Sequence, residues 1–468
     1  MRKLVGALML IAIMTGCSRG AGPEPAPPPR EAERAPAPPP REAEPAPAPP
    51  RVTAPPTLPD PGVRSLAGDL EVQPIAGTRA VSWSPSGRRA VMLAKPGAYL
   101  LETAAPSLTR LDFAPREAPV FWSESELLWE QAGRLQVRDL TTSADRLLHD
   151  FGAPVIHFLR PGDTHYVVNR EKGLVQQGYR FGTIVAGQLG GQDETVLIDM
   201  GHLIGRMAAG EVLAVEGYRG GPLWALTDKG EKRLLSQENA YFVQLSPDGR
   251  QALWLTRSPE KSSWLELLKP AVAHADPPYD PPLTDLWTWD GSGDPVRIPL
   301  GGPHSARANF SPDGRLIALA LNGVLTDAQP VVDQPGSVAV VTGTEIQTLA
   351  TFDGRVGLGI WLGSDGFRYS PPIREKTGAQ APITRMSLTG ETEYSHGIWY
   401  EAGTRDGRSL ILNWMGDLTT VRWSDSAREA RIDFDPNDHV GHPLYVPPSA
   451  PYLPFVSGDR VTFKRLVD

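Results

Sequence analysis

The chain has very little cysteine: Cys17 is the only one in 468 residues, so no internal disulfide can form. It also lacks a Gly-x-Ser-x-Gly nucleophile elbow, a His-Glu-x-x-His zinc motif and a phosphate-binding glycine loop. No long segment spaces its apolar residues with the 3.6-residue period of a helix. The net charge of −8 argues against nucleic acid as a partner. These absences disfavour several common enzyme classes and a helical fold.

The first residues have the pattern of an export signal. Arg2 and Lys3 precede an apolar run at 4–14, which is too short to span a membrane. Met14-Thr15-Gly16-Cys17 resembles the bacterial lipoprotein box, in which the cysteine is lipidated and becomes the mature N-terminus. The resemblance implies a signal peptide at 1–16 and a membrane anchor at Cys17. The alternative is an ordinary signal peptide with an incidental cysteine.

Residues 17–62 follow as a proline-rich segment in which an eleven-residue unit, beginning Ala26-Pro27-Pro28-Pro29, recurs at 37. Such a composition cannot bury a core, which predicts a disordered, extended linker. A spacer that holds the globular part away from a membrane is favoured over a proline-rich recognition ligand. The remaining domain, 63–468, is expected outside the cytoplasm of a bacterial cell.

One turn recurs within that domain. Phe310-Ser311-Pro312-Asp313-Gly314-Arg315 is matched at 245–250, and 83–88 differs by Ser86 in place of Asp. Proline presets φ, Asp or Ser bonds to the nearby backbone, and glycine accepts positive φ, so each copy predicts a β-hairpin turn. Short apolar runs separated by such breakers predict an all-β domain.

The spacing of the turns, near forty residues with four short strands between them, is typical of a β-propeller blade. The pattern predicts a single propeller of about eight four-stranded blades, with seven as the alternative. Short apolar pieces at 70–72 and 461–463 could pair to close the ring. The turn also resembles the repeat of TolB-type, WD40-like (PD40) propellers. That resemblance implies the fold but leaves the function open, because such propellers serve as binding modules, scaffolds and peptidase lids.

Two interruptions of the repeat are the first places to look for function. The segment 269–282 contains five prolines together with His274, Asp276, Tyr279 and Asp280, and a second insertion lies at 327–335. Long loops in compact folds are usually functional or disordered, and propellers bind ligands on loops at one end of the channel. We therefore predict binding residues at His274, Asp276, Tyr279 and Asp280; an unstructured insertion is the alternative.

A divalent cation is the one cofactor that the sequence suggests. Asp433 and Asp435 begin a cluster of oxygen ligands, although the glycine and the closing glutamate of a calcium loop are absent. His439 and His442 follow it with a spacing that suits zinc. A metal-free turn is the alternative reading, as it is for Asp290–Asp294. The favoured function is a non-catalytic protein- or peptide-binding or scaffold module of the cell envelope. The rival is a propeller lyase or hydrolase with a His/Asp site, metal-assisted, at the channel mouth.

Overall fold

The computed structural model describes residues 61–468 except 67, 96, 114, 116, 177–178, 218–219, 258–281, 324–334, 362–363, 371–382, 396–398, 404–408, 416–417, 424–425, 427 and 433–441. All of its regular elements are β-strands, numbered β1 to β35 in chain order. No helix in the described part of the chain is long and apolar enough to cross a membrane. The all-β prediction is confirmed.

The strands form seven antiparallel sheets. Sheet 1 combines the two ends of the domain: Gly62–Leu66, Asp69–Gln73, His442–Pro443, Tyr452–Ser457 and Arg460–Arg465 (β1, β2, β33, β34, β35). Sheet 2 contains Ala80–Trp83, Arg89–Ala94, Gly97–Glu102 and Ser107–Arg110 (β3–β6). Sheet 3 contains Val120–Phe121, Glu126–Gln131, Arg134–Asp139 and Asp145–Asp150 (β7–β10).

Sheets 4 and 5 have seven strands each. Sheet 4 contains Val155–His157, His165–Gln176, Tyr179–Gln188, Glu194–Arg206, Val212–Glu216, Leu223–Leu226 and Lys232–Ser236 (β11–β17). Sheet 5 contains Tyr241–Leu245, Ala252–Thr256, Leu283–Trp289, Val296–Phe310, Leu316–Asn322, Gly336–Thr342 and Glu345–Phe352 (β18–β24). Sheet 6 contains Gly357–Trp361, Gly366–Ser370, Ile383–Ser387 and Thr392–Ser395 (β25–β28). Sheet 7 contains Trp399–Gly403, Ser409–Met415, Leu418–Trp423 and Glu429–Ile432 (β29–β32).

One long strand divides each seven-stranded sheet into two halves of four. In sheet 4, β14 is the last strand of the first half and the first strand of the second half, and β21 has the same place in sheet 5. In each of these two sheets, one continuous strand therefore joins two neighbouring repeat units where a loop would otherwise connect them. Because two pairs of units are merged in this way, the predicted count of about eight blades stays a prediction.

Consecutive sheets pack face to face through apolar clusters. Sheets 2 and 3 share one cluster, sheet 3 and the first half of sheet 4 share the next, and the pattern continues through sheets 5 and 6. Sheet 1 packs between sheets 2 and 7. A series of antiparallel sheets whose faces are covered by the next sheet in chain order is the architecture of a β-propeller. Trp254 and Trp361 are buried between sheets.

The domain closes where its two ends pair. Strand β2 lies beside β35, with Leu70 opposite Phe463 and Val72 opposite Val461. All four side chains are buried. These are the segments 70–72 and 461–463 that the sequence predicted to pair, and their pairing is confirmed.

The recurrent turn works as its sequence predicted. Ser311 Oγ donates to Asp313 Oδ1 at 2.6 Å, and Arg315 N–H donates to the same oxygen at 3.1 Å. Leu316 N–H donates back to Ser311 Oγ at 2.9 Å, and Gly314 has a φ of +71°, which L side chains adopt only at a cost. The side chains that recur in this motif are thus used by the turn itself.

The turn at 84–88 has Ser86 in place of the aspartate and acquires a carboxylate from elsewhere. Ser86 Oγ donates to Glu124 Oε2 at 2.8 Å, and Arg89 Nη1 donates to the Glu124 carbonyl at 3.1 Å. Glu124 belongs to the corresponding turn of sheet 3. The degenerate copy of the motif therefore links two neighbouring sheets at the end of the domain where the turns lie.

Candidate functional site

The structure leaves most of the predicted site residues untested. Eight of them lie outside the described residues: Cys17, His274, Asp276, Tyr279, Asp280, Asp433, Asp435 and His439. His442 is described in its backbone only, at the start of β33, where it is paired with Val456. Within the described part of the chain, no three His, Cys, Asp or Glu side chains are grouped closely enough to hold a metal ion.

The strands that flank the two predicted insertions are described. Segment 258–281 connects β19 to β20, and segment 324–334 connects β22 to β23. Near the end of β19, Leu255 pairs with Tyr241 at the start of β18. At the end of β22, Asn322 pairs with Ser305, where β21 enters the second half of sheet 5. Both insertions therefore leave sheet 5 at the same end, opposite the Ser-Pro-Asp-Gly turns.

The first strands of successive units lie next to one another, as expected for the innermost strands of a propeller. Asn309 on β21 donates from Nδ2 to the Gly359 carbonyl of β25 at 2.8 Å, and Trp361 Nε1 donates back to the Asn309 carbonyl at 3.0 Å. Between β14 and β18, a Cβ built on Gly205 would lie 2.6 Å from Leu245 Cδ1, so glycine permits this close approach. These contacts define an inner surface.

Polar side chains occur on four neighbouring innermost strands, at His157, His202, Gln244 and Arg307. His157 Nδ1 and Gln244 Oε1 are enclosed and have no hydrogen-bond partner among the described residues. Buried polar atoms are nearly always paired in folded proteins, so each unpaired one needs an explanation, such as an ordered water or a ligand. This set of side chains is the candidate site.

The centre of the candidate site is Phe242. This residue has a φ of +51°, a left-handed conformation that is unusual for a bulky side chain. It lies in a β-bulge, because the register of β18 against β19 shifts between Tyr241 and Gln244. All five residues of β18 are partly exposed, whereas the neighbouring β19 is fully buried. Such local strain occurs preferentially at functional sites.

Arg307 completes this centre from the other half of sheet 5. Its guanidinium carbon lies 3.8 Å from the centroid of the Phe242 ring, a distance typical of a cation–π contact. Sequence reasoning missed the pair because its members are distant along the chain. The only local signal was a charged residue within an otherwise small and apolar stretch, Ala306-Arg307-Ala308.

Burial changes the protonation of the two inner-surface histidines. Loss of hydration lowers the pKa of His157 to about 4 and that of His202 to about 4. The His157 side chain keeps some exposed surface, but its ring Nδ1 is enclosed. Both rings are therefore neutral at pH 7.

These lowered pKa values predict acid destabilisation. In the unfolded chain His157 has its ordinary pKa of 6.5, whereas in the folded chain its pKa is about 4. As the pH falls below 6.5, the unfolded chain therefore binds more protons than the folded chain, and the stability present above pH 6.5 is lost. We expect His157 to account for a loss on the order of 3 kcal/mol between pH 6.5 and 4. Urea unfolding of wild type and His157→Asn across this range measures it. Profiles that stay parallel for the two proteins would contradict the assignment.

A second polar cluster lies between the outer parts of sheets 3 and 4. Arg170 Nη2 donates to both carboxylate oxygens of Glu194, at 2.7 and 2.8 Å, and Tyr166 OH donates to Glu194 Oε1 at 2.9 Å. His149 Nδ1 accepts from Gly190 N–H at 3.2 Å. Burial, followed by the Glu194 hydrogen bond, raises the pKa of the Tyr166 hydroxyl, which keeps this group protonated at pH 7. The cluster is internally paired and fastens the two sheets.

The turn at Asp290–Asp294 also uses its own oxygen ligands. Asp290 Oδ1 accepts from Ser292 N–H at 2.9 Å and from Ser292 Oγ at 3.0 Å. The Trp289 indole N–H donates to the Gly293 carbonyl at 3.2 Å. These bonds are those of a side-chain-stabilised turn.

Comparisons with known proteins give only weak likenesses. No protein-family model matches the chain, and no curated protein matches it in sequence. A eukaryotic initiation factor structure is 13% identical with a TM-score of 0.44, over 71% of this chain and 85% of that one. An oligogalacturonate lyase from Vibrio parahaemolyticus is 12% identical (TM-score 0.34, 71% and 97% covered). TolB from Acinetobacter baumannii is 10% identical (TM-score 0.26, 73% and 80% covered).

The fold therefore rests on the sheet topology and packing described above. The structural neighbours include TolB proteins together with an enzyme, and proteins of one fold can differ completely in function. The function has to be argued from the site.

Proposed function

We propose that this protein is an exported bacterial lipoprotein whose propeller is a non-catalytic binding or scaffold module for an envelope protein or peptide. Cys17 would carry the lipid, and the proline-rich residues 17–62 would hold the propeller away from the membrane. The sequence patterns described above support the anchor and the linker, and the geometry of sheet 5 supports the binding role.

One observation carries the binding proposal. The two insertions predicted to bind a ligand leave the same end of sheet 5, and the innermost strands of this sheet begin at that end with Phe242 and Arg307 nearby. Strain, a β-bulge and an aromatic–cation pair thus occur beside the attachment points of both insertions. Propellers present binding surfaces on loops at one end of the channel.

The test is capture of envelope proteins by the full chain carrying Cys17→Ser, compared with the same chain lacking residues 270–282. We expect the deletion to abolish specific capture while changing the thermal midpoint by less than about 2 °C, because the flanking strands β19 and β20 pair with each other directly. Arg315→Ala is the control: Arg315 is 83% exposed in a turn at the opposite end, and this variant should retain the captured proteins.

Two results would contradict the proposal. If the chains with and without 270–282 capture the same proteins, this end of the domain does not bind them. A large fall of the thermal midpoint on deletion would show instead that the segment is structural.

A further inference from the structure

The Phe242–Arg307 pair has a geometry that favours a particular ligand chemistry. Phe242 is held by its bulge on the innermost strand of one half of sheet 5, and Arg307 extends over its ring from the innermost strand of the other half. With its central carbon 3.8 Å from the ring centroid, the guanidinium has room only for an orientation roughly parallel to the ring. A planar group fixed in this way loses little conformational freedom when it binds a ligand.

A stacked guanidinium keeps its hydrogen-bonding edge. The aromatic ring occupies one face of the group, whereas its five N–H donors lie in the plane and can bind a carboxylate through two parallel hydrogen bonds. Arg307 also takes part in further interactions within the chain. A carboxylate bound in this way needs only two of the five donors. Arginine on an aromatic platform is well suited to recognise a carboxylate.

Gln244 supplies a second and independent feature. It follows Phe242 by two residues on β18, and its Oε1 is enclosed without a hydrogen-bond partner among the described residues. An amide oxygen accepts hydrogen bonds, and a peptide backbone N–H is a suitable donor. A carboxylate acceptor and an N–H donor occur together in a peptide that carries an acidic group.

We infer that Arg307, Phe242 and Gln244 form a subsite for a carboxylate of a peptide ligand, from an Asp or Glu side chain or from a free C-terminus. The inference rests on the proposed binding function and names the chemistry of its ligand. Arg307 binds the carboxylate, Phe242 holds the guanidinium in position, and Gln244 accepts a hydrogen bond from the adjacent peptide N–H.

The experiment is selection from a random heptapeptide library displayed on phage with free peptide C-termini, with the full Cys17→Ser chain as bait. We expect Asp and Glu to be enriched about threefold over the unselected library, and this enrichment to disappear with Arg307→Gln. Arg307→Glu should reverse the preference towards Lys and Arg, because a like charge now opposes the carboxylate. Arg315→Glu is the matched control at the opposite end and should leave the preference unchanged.

Further variants separate charge from geometry. Arg307→Lys keeps the charge but loses the planar fork, and Phe242→Leu removes the aromatic face, so each should weaken an enriched peptide about tenfold. Circular dichroism and the thermal midpoint establish that each variant is folded. Synthetic peptides with Asp or Glu changed to the amide, or with an amidated C-terminus, identify which carboxylate is bound.

The outcomes distinguish this inference from the proposed function. Enriched peptides without acidic bias that also bind equally well with an amidated C-terminus, or an acidic bias that survives Arg307→Glu, would overturn the carboxylate subsite and leave the binding function standing. If neither kind of amide weakens binding, the subsite is also overturned. A wild-type bait that enriches no peptide would overturn both.

Discussion

Phe463→Ala should lower the free energy of unfolding by about 3–5 kcal/mol. Phe463 is fully buried in the cluster where sheet 1 packs between sheets 2 and 7. Its ring meets that of Trp83 edge-on, with the centroids 6.1 Å apart. The substitution leaves a cavity that this tightly packed region cannot easily fill, and it does so in the sheet that closes the domain.

Urea unfolding followed by circular dichroism measures this effect. Val467→Ala is the control, because Val467 is close in sequence but 55% exposed, and a change of less than about 0.5 kcal/mol is expected. Equal losses in the two variants would show that sheet 1 is not part of the cooperative core.

Asn322→Ala should cost about 2–5 kcal/mol. Asn322 Nδ2 donates to the Val356 carbonyl at 2.9 Å, and Val356 N–H donates to Asn322 Oδ1 at 2.8 Å. Both residues are buried. Alanine leaves a backbone donor and a backbone acceptor unpaired in the interior, and each such group costs about 1–3 kcal/mol.

Gln347→Ala tests whether the effect comes from the buried amide. Gln347 lies in the same half of sheet 5 and is exposed, so its loss should change stability by less than about 0.5 kcal/mol. A loss below about 1 kcal/mol for Asn322→Ala would mean that water replaces the amide, and that Asn322 does not fasten the chain entering sheet 6.

Local sequence predicted much of the fold, because turn chemistry and strand alternation act over a few residues. The turns at 246–250 and 311–315 have the predicted bonds, and the predicted four short strands per unit are present around the turn at 84–88 as β3–β6. The closing pair was predictable because both ends carry an apolar residue at alternate positions and lack another partner in the repeat.

The merged sheets were not predictable in the same way. Strands β14 and β21 continue through Gly201 and through Gly301-Gly302, where glycine normally suggests a break. A Cβ at Gly201 would lie 2.8 Å from the Val215 carbonyl oxygen, so this glycine permits close strand packing instead of ending the strand. Such a requirement depends on the neighbouring strand and cannot be read from the local sequence.

The candidate site shows the same limit. The interruption of the repeat directed attention to sheet 5, and Phe242 and Arg307 do lie in that sheet. Their contact depends on the bulge in β18 and on how two innermost strands approach each other. Both are tertiary features. The predicted binding residues lie outside the described part of the chain, as do the predicted metal-ligand residues except for the backbone of His442, and those assignments stay predictions.

The pairing of the two ends of the domain has a consequence for the order of folding. Glu71 and Arg460, which lie in β2 and β35 with Nη1 and Oε2 3.4 Å apart, are separated by 389 positions. Contacts of such long range form slowly, because the loop between them must first be ordered. Strands β1 and β2 can pair with each other early, but the other edge of β2 stays unpaired until β35 arrives. That interval is when this domain is most exposed to pairing with another chain.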